Sequence, residues 1–343
     1  MNLTAQKLIS GFSVASAVMA LLFTGNWAAG QASAAYREPT VSQTVPSEET
    51  QPPTETVAAT EQTEATEVTA PVDPRREALA QAAEEMDAGC VFVYDTALGE
   101  MLYCGTGAGE RLYPASITKL FSAWVALKYV NPEKVVTAGD ELGLVQPGSS
   151  TAYIKRGCRL TVEMLVEGML LPSGNDASYV LAAAAGRAAA EDENLDGESA
   201  VAVFVEVMNR EARQLGLKGS HFTNPDGYHD EDHFSTPEDM VRMAELALSQ
   251  PVIARYAGLQ QDTVVFTSGE WANWYNTNSL INPESPYYVA SAAGLKTGYT
   301  SEAGYCLLAA FETDAGQIVI GIFDAATKHS RYTDAIALLE ICE

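Results

Sequence analysis

Basic residues are scarce in this chain. Twenty lysines and arginines face 45 aspartates and glutamates, leaving a formal net charge of −25. A chain this acidic is repelled by phosphate backbones and anionic headgroups, which excludes nucleic acid and an anionic lipid surface as partners. Histidine is sparser still, with four in all. Two of them stand four apart in His229-Asp230-Glu231-Asp232-His233. That run is not the His-Glu-x-x-His of a zinc peptidase, and it follows the turn residues Asp226-Gly227, so it reads as a solvated acidic loop. No metal or cofactor is expected. The five cysteines, at 90, 104, 158, 306 and 342, are odd in number and show no zinc-ribbon spacing. Cys90 and Cys104 flank a hairpin whose turn at Leu98-Gly99 lies beyond their midpoint, so the pair is expected off register, and buried free thiols are the reading for all five.

Long apolar runs are also lacking, with one exception. Leu8 to Phe23 follows Lys7, is broken by Gly11, Ser13 and Ser16, and is succeeded by the small-residue site Ala32-Ser33-Ala34. This is the layout of an export signal over residues 1–34; a retained anchor is the alternative, although the run is short of a full span. Residues 35–74, rich in Thr, Glu, Pro, Ser and Val, cannot bury enough surface to offset ordering entropy and read as a disordered spacer. The protein is therefore expected outside the cytoplasm, secreted or held in the envelope by its N-terminus.

What remains, residues 75–343, carries periodic structure. Arg75 to Asp87 has helical composition, and Cys90–Tyr94 and Glu100–Cys104 are strand candidates. Helices are expected from Ser116 to Val130, Thr161 to Leu171, Asp176 to Ala190 and Ala200 to Leu215. Thr236-Pro237-Glu238-Asp239 has the capping Thr, first-turn Pro and early acids of a further helix start. Strands are expected at Thr263–Phe266, Gly294–Thr297, Gly304–Phe311 and Ile318–Phe323, with a closing helix from Tyr332 to Ile341. Strands early and late around a helical middle imply an α/β (α+β) fold. One antiparallel sheet is built from both ends of the domain (about 88–115 plus 262–343), terminal helices cover it, and an all-helical lobe (about 116–261) is inserted.

Three short motifs fall at the junctions of that architecture. Ser116-Ile117-Thr118-Lys119 opens an apolar helix, where a spacing of three brings the hydroxyl and the ammonium to one face. Burial there would lower the lysine pKa until it can take the serine proton. Alone, such a pair also fits a capping serine and a solvated lysine. Ser173-Gly174-Asn175 lies between two helices and offers a hydroxyl and an amide. Lys296-Thr297-Gly298 lies on a strand, where glycine permits close approach by a ligand. Ser-x-x-Lys, Ser-x-Asn and Lys-Thr-Gly, in that order, are the motif set of penicillin-binding proteins and serine β-lactamases.

From about Cys90 to Leu339 the chain resembles the low-molecular-mass penicillin-binding proteins that act as serine D-alanyl-D-alanine carboxypeptidases, with a β-lactamase/transpeptidase-like fold. The likeness extends through Leu170–Ala177, His221–Gly227, His233–Thr236, Asn276–Asn278 and Gly294–Gly304. Many relatives continue into a small β-rich domain and a C-terminal membrane anchor, whereas this sequence stops at Glu343, so membrane contact is expected only through a retained N-terminal segment. The resemblance implies that Ser116 attacks the penultimate D-Ala carbonyl of a peptidoglycan stem peptide and that Lys119 takes its proton. It also implies that the N–H groups of Ser116 and Tyr299 form the oxyanion hole, Lys296 and Thr297 bind the substrate carboxylate, Ser173 relays a proton and Asn175 holds the substrate amide. Lys296 should also help to keep Lys119 neutral, and β-lactams should acylate Ser116. A D,D-endopeptidase of the same family shares every motif. A β-lactamase is disfavoured by Gly174 in the second motif and by the lack of a clear Glu-x-x-Leu-Asn segment. A penicillin sensor is disfavoured by the lack of a signalling domain. Two further assignments stay open: Trp271, Trp274 and Tyr275 as cleft lining or packing over the sheet, and Glu302 at the cleft mouth or as a turn residue; Asp176 reads as a helix cap rather than a catalytic group.

Overall fold

The computed structural model describes residues 73–105 and 111–343. The expected leader and spacer lie outside them, apart from Asp73 and Pro74. No described helix is long and apolar enough to cross a membrane. In chain order, α1 (Arg75–Glu84) leads into the hairpin β1 (Ala88–Asp95) and β2 (Glu100–Cys104). A 3-10 turn at Ala115–Ile117 runs into α2 (Thr118–Tyr129), followed by the short strands β3 (Val135–Thr137) and β4 (Arg159–Thr161). The helical lobe continues with α3 (Val162–Leu170), α4 (Asn175–Ala190), α5 (Gly197–Leu215), α6 (Pro237–Ser249) and α7 (Pro251–Ala257). A ribbon, β5 (Gln261–Val265) and β6 (Trp271–Tyr275), precedes β7 (Ala292–Thr300), β8 (Gly304–Glu312), β9 (Gln317–Ala325) and the closing helix α8 (Ser330–Cys342).

The main sheet has five antiparallel strands in the order β2-β1-β9-β8-β7, so strands from both ends of the domain meet at β1 and β9. Alternation along β8 explains why the sheet is covered on both faces. Cys306, Leu308 and Ala310 join the core shared with the helical lobe, while Leu307, Ala309 and Phe311 join a second core with Leu79 of α1 and Leu338 of α8. Inside the lobe, α4 is buried on every side from Asn175 to Gly186. Its alanines leave room for close neighbours, and a Cβ at Gly186 would overlap the Ala200 carbonyl of α5. An apolar helix of this kind belongs in a core.

Several expectations need correction. Thr263–Phe266 does not extend the main sheet: β5 pairs only with β6, in a separate ribbon packed on the helical lobe through Trp274. Strands β3, β4 and β6 and helix α7 were not expected; each is short, and β3 and β4 span three residues apiece. The cap of α6 follows the expected pattern, with Thr236 Oγ1 accepting from the Asp239 N–H at 3.3 Å. In the β1–β2 hairpin Cys104 stands opposite Phe92, and Cys90 pairs across to Phe323 of β9, so the two thiols are out of register. Cys104, Cys158, Cys306 and Cys342 are free, Cys158 and Cys306 being buried and the other two only partly so.

Candidate active site

The site forms where the 3-10 turn before α2 meets β7 and the connections that follow α3 and α5. Ala115 takes a left-handed φ of +46°, turning the chain so that Ser116 stands partly exposed at the head of α2. Gly227 (φ +80°) abuts this turn so closely that a Cβ there would overlap the Ala115 carbonyl. On the other side Gly298 of β7 leaves room for it, since a Cβ would lie 3.0 Å from both Ala115 Cβ and Pro114 O and 3.2 Å from Ser116 N. The glycine of the third motif therefore accommodates the serine turn itself, a requirement the sequence did not indicate. Gly174 is equally confined, because a Cβ would meet Gly168 O at 2.7 Å and Ala152 Cβ at 2.8 Å. An aspartate in the middle of the second motif does not fit.

Lys119 is fully buried and donates three hydrogen bonds: to Ser116 Oγ (2.8 Å), to Asn175 Oδ1 (2.8 Å) and to the Asp226 carbonyl (2.7 Å). Two of these partners can only accept. When the lysine is a free amine, its two hydrogens remain committed to Asn175 and Asp226, and its lone pair is left for the Ser116 hydroxyl. Burial pushes the Lys119 pKa down from 10.5 to about 8, against the pull of the Asp226 and Asp176 carboxylates. The arrangement can thus move a proton from Ser116 to Lys119 at mildly alkaline pH.

Desolvation is the main cause of the lowered Lys119 pKa, and Lys296 is lowered well below lysine's usual range by burial, then by Lys119 and Arg331. Lys296 Nζ donates to the Thr297 carbonyl at 3.0 Å. Thr297 Oγ1 lies 2.7 Å from Thr277 Oγ1, which ties the third motif to the Asn276–Asn278 segment. Tyr299 turns its ring outward, 55% exposed, over Tyr305 at 4.6 Å between centroids. Its backbone directly follows Gly298 and so runs past the serine turn. Ser173 is buried in a left-handed conformation (φ +61°) two residues before Asn175, but it is not among the three partners of Lys119.

Ser116, Lys119, Asn175 and Gly298 are therefore in direct contact, and Ser173, Lys296, Thr297 and Tyr299 stand on the adjoining turns. The carbonyl oxygen of Asn175 also holds the lysine, an interaction the sequence did not indicate. Asp176 is not a helix cap. Its two oxygens accept from the Ala152 and Ile154 N–H groups at 2.7 and 2.8 Å, clamping the 149–154 loop to the second motif. Trp274 is fully buried and donates to the Ala152 carbonyl at 3.1 Å, whereas Trp271 and Tyr275 face solvent on the outer side of the ribbon.

Four contributors were given no role by the sequence, although three of them lie in stretches it singled out. Asp226 supplies the carbonyl to Lys119, and its own carboxylate is buried with Oδ2 unpartnered, raised in pKa by desolvation and lowered by Lys119. His233 is buried rather than solvated. Its Nδ1 accepts from the Thr223 N–H at 3.2 Å, so its proton sits on Nε2, 2.8 Å from Thr118 Oγ1, and burial pushes its pKa down to about 3. Arg331 of α8 lies under the third motif and donates to the carbonyls of Gly298 and Cys306, each at 3.2 Å. Thr277 is the partner of Thr297. The turn cluster Asn224–Gly227 was the one available signal for Asp226; nothing marked Arg331. Among the described residues no group of three or more His, Cys, Asp or Glu side chains is arranged to hold a metal ion.

The sequence profile of D-alanyl-D-alanine carboxypeptidases matches residues 77–327. The chain belongs to this family. It is 29% identical over 266 residues to the D-alanyl-D-alanine carboxypeptidase DacF of Bacillus subtilis, covering 76% of this chain and 63% of that protein. With the D-alanyl-D-alanine carboxypeptidase of Streptomyces sp. strain K15 it shares 31% identity over 261 residues, covering 72% and 84% of the two chains. The crystal structure of the Streptomyces K15 DD-transpeptidase superposes with a TM-score of 0.67 at 28% identity, over 75% of this chain and 97% of that one. Penicillin-binding protein D2 of Listeria monocytogenes, in its cefotaxime-bound form, superposes with a TM-score of 0.61 at 26% identity and the same coverage, 75% and 97%. The chain thus spans less than two thirds of the length of DacF.

Proposed function

We propose that this member of the D-alanyl-D-alanine carboxypeptidase family removes the terminal D-Ala from peptidoglycan stem peptides outside the cytoplasm, and so takes part in cell-wall biogenesis. The observation that carries the reading is Lys119, buried, 2.8 Å from Ser116 Oγ and otherwise bonded to acceptors alone. As a free amine Lys119 takes the Ser116 proton while Oγ attacks the penultimate D-Ala carbonyl, forming a tetrahedral oxyanion. The N–H groups of Ser116 and Tyr299 receive that oxyanion; losing one such donor typically reduces the rate roughly 100- to 1000-fold. Lys296 and Thr297 bind the substrate carboxylate, with buried Arg331 adding positive potential from below. This local charge opposes the acidity of the chain as a whole. Ser173 passes the proton to the departing D-Ala nitrogen, and the C–N bond breaks as it arrives. Water then hydrolyses the Ser116 ester, Lys119 again serving as base, to release the shortened peptide.

A β-lactam presents its strained amide at the same position and is expected to acylate Ser116. Ser116→Ala tests the reading. It should abolish both D-Ala release from a pentapeptide and labelling by a fluorescent penicillin; D-Ala release at the wild-type rate would refute the assignment. Cross-linked muropeptides assayed beside the pentapeptide separate the carboxypeptidase from a D,D-endopeptidase built on the same site.

A further inference from the structure

The loop over residues 149–154 is anchored to the second motif and to Trp274 through its backbone. The Ser150 carbonyl accepts the Asn175 N–H at 2.8 Å. The Ala152 and Ile154 N–H groups are bound by the two oxygens of Asp176, and the Ala152 carbonyl by Trp274 Nε1. Between these anchors Tyr153 has a left-handed φ of +62° and a side chain 73% exposed. An L-residue in this backbone region is strained by contact between its Cβ and the backbone, a strain glycine does not feel. A tyrosine here is thus disfavoured by its backbone, and its exposure denies it the core packing that would compensate. The same clamp holds the backbone on either side of Tyr153 to the second motif, whose Asn175 holds Lys119. Tyr153 therefore offers its exposed ring from a loop anchored to that motif.

We propose that Tyr153 is a specificity-determining residue that packs on the stem peptide of the substrate, upstream of its D-Ala-D-Ala end. The proposal rests on the carboxypeptidase reading. On this proposal a peptide whose terminal carboxylate lies at Lys296 and Thr297, and whose reacting carbonyl lies at Ser116, runs its upstream residues along the second-motif edge. An aromatic ring suits the aliphatic stems and methyl groups of such a peptide, because it buries apolar area without adding to the negative charge of the protein.

The test compares kcat/KM of the full-length wild type, Tyr153→Gly and Tyr153→Phe for a free pentapeptide and for a minimal N-acetyl-D-Ala-D-Ala substrate. Acylation by benzylpenicillin is measured in parallel. Tyr153→Gly should lose about tenfold on the pentapeptide, the scale of one buried apolar side chain, and less than about twofold on the minimal substrate and on penicillin. Tyr153→Phe should restore the pentapeptide rate. The thermal midpoint of Tyr153→Gly should equal or exceed that of the wild type, because the backbone strain is removed. Equal losses on all three substrates, or no loss on the pentapeptide, would overturn the proposal. So would a loss seen only with sugar-linked muropeptides, which would move the contact to the glycan. Failure of the wild type to release D-Ala from either peptide counts against the functional reading instead, while penicillin acylation that distinguishes the variants counts against Tyr153.

Discussion

If Lys119 is the base, acylation of Ser116 must follow the fraction of Lys119 present as free amine. With a pKa of about 8, that fraction is about one-eleventh at pH 7 and about ten-elevenths at pH 9, so the rate constant should rise about tenfold between them. Below pH 8 the logarithm of the rate should climb with unit slope, and above pH 8 it should flatten. The assay is the second-order rate of benzylpenicillin attachment between pH 6 and 10, followed by intact-protein mass. Asp226→Asn should shift the midpoint to lower pH, because the Asp226 carboxylate holds the ammonium form in place. The same shift has a consequence for stability. Folding lowers this lysine from 10.5 to about 8, so between those values the unfolded chain carries a proton that the native chain does not. Stability therefore rises with pH through that window, and below pH 8 the buried lysine costs up to about 3 kcal/mol relative to an unshifted one. Lys119→Met should abolish acylation and also remove that rise from denaturation curves taken at pH 8 and 10. A wild-type acylation rate constant from pH 6 to 9, or a midpoint near 10.5, would refute the assignment of Lys119 as the buried base.

Three further outcomes are expected. Gly298→Ala should remain folded yet acylate at least tenfold more slowly, because its Cβ would press on Ala115 and Pro114 O at 3.0 Å; overpacking of this kind typically costs about 1–3 kcal/mol. Penicillin labelling alongside a thermal melt checks it. His233→Ala leaves a cavity and an unpaired Thr118 hydroxyl and should lower stability by about 2–4 kcal/mol in chemical denaturation. Because folding lowers His233 from 6.5 to about 3, the unfolded chain binds the extra proton in that interval. Wild-type stability should accordingly fall as pH drops from 6.5 towards 3, and the slope should be shallower in the variant. Gly227→Ala combines a left-handed φ of +80° with overlap on the Ala115 carbonyl, and should yield little folded protein or none that binds penicillin.

Much of the architecture was legible because its signals are local. The short apolar runs of β8 and β9, the Thr236-Pro237 start of α6 and the alanine-rich α4 each reflect the composition or cap of one element. The ribbon β5–β6 escaped because a strand of five residues does not reveal its partner. Thr263–Val265 would have satisfied the main sheet as readily, and only the burial of Trp274 against Ala152 and Gly168 places it on the helical lobe.

The candidate site divides along the same line. The order and spacing of Ser116, Lys119, Ser173, Asn175, Lys296, Thr297 and Gly298 identified the family, because each motif is a constraint between residues near in sequence. What lowers the pKa of Lys119, why residue 298 is glycine, and what Asp176, Asp226, His233 and Arg331 contribute were decided only by tertiary structure. Desolvation depends on everything packed around a group, and the clearance at Gly298 depends on a turn more than 180 residues away. Burial, close approach and charge are properties of the assembled cleft, and no segment of the chain carries them alone.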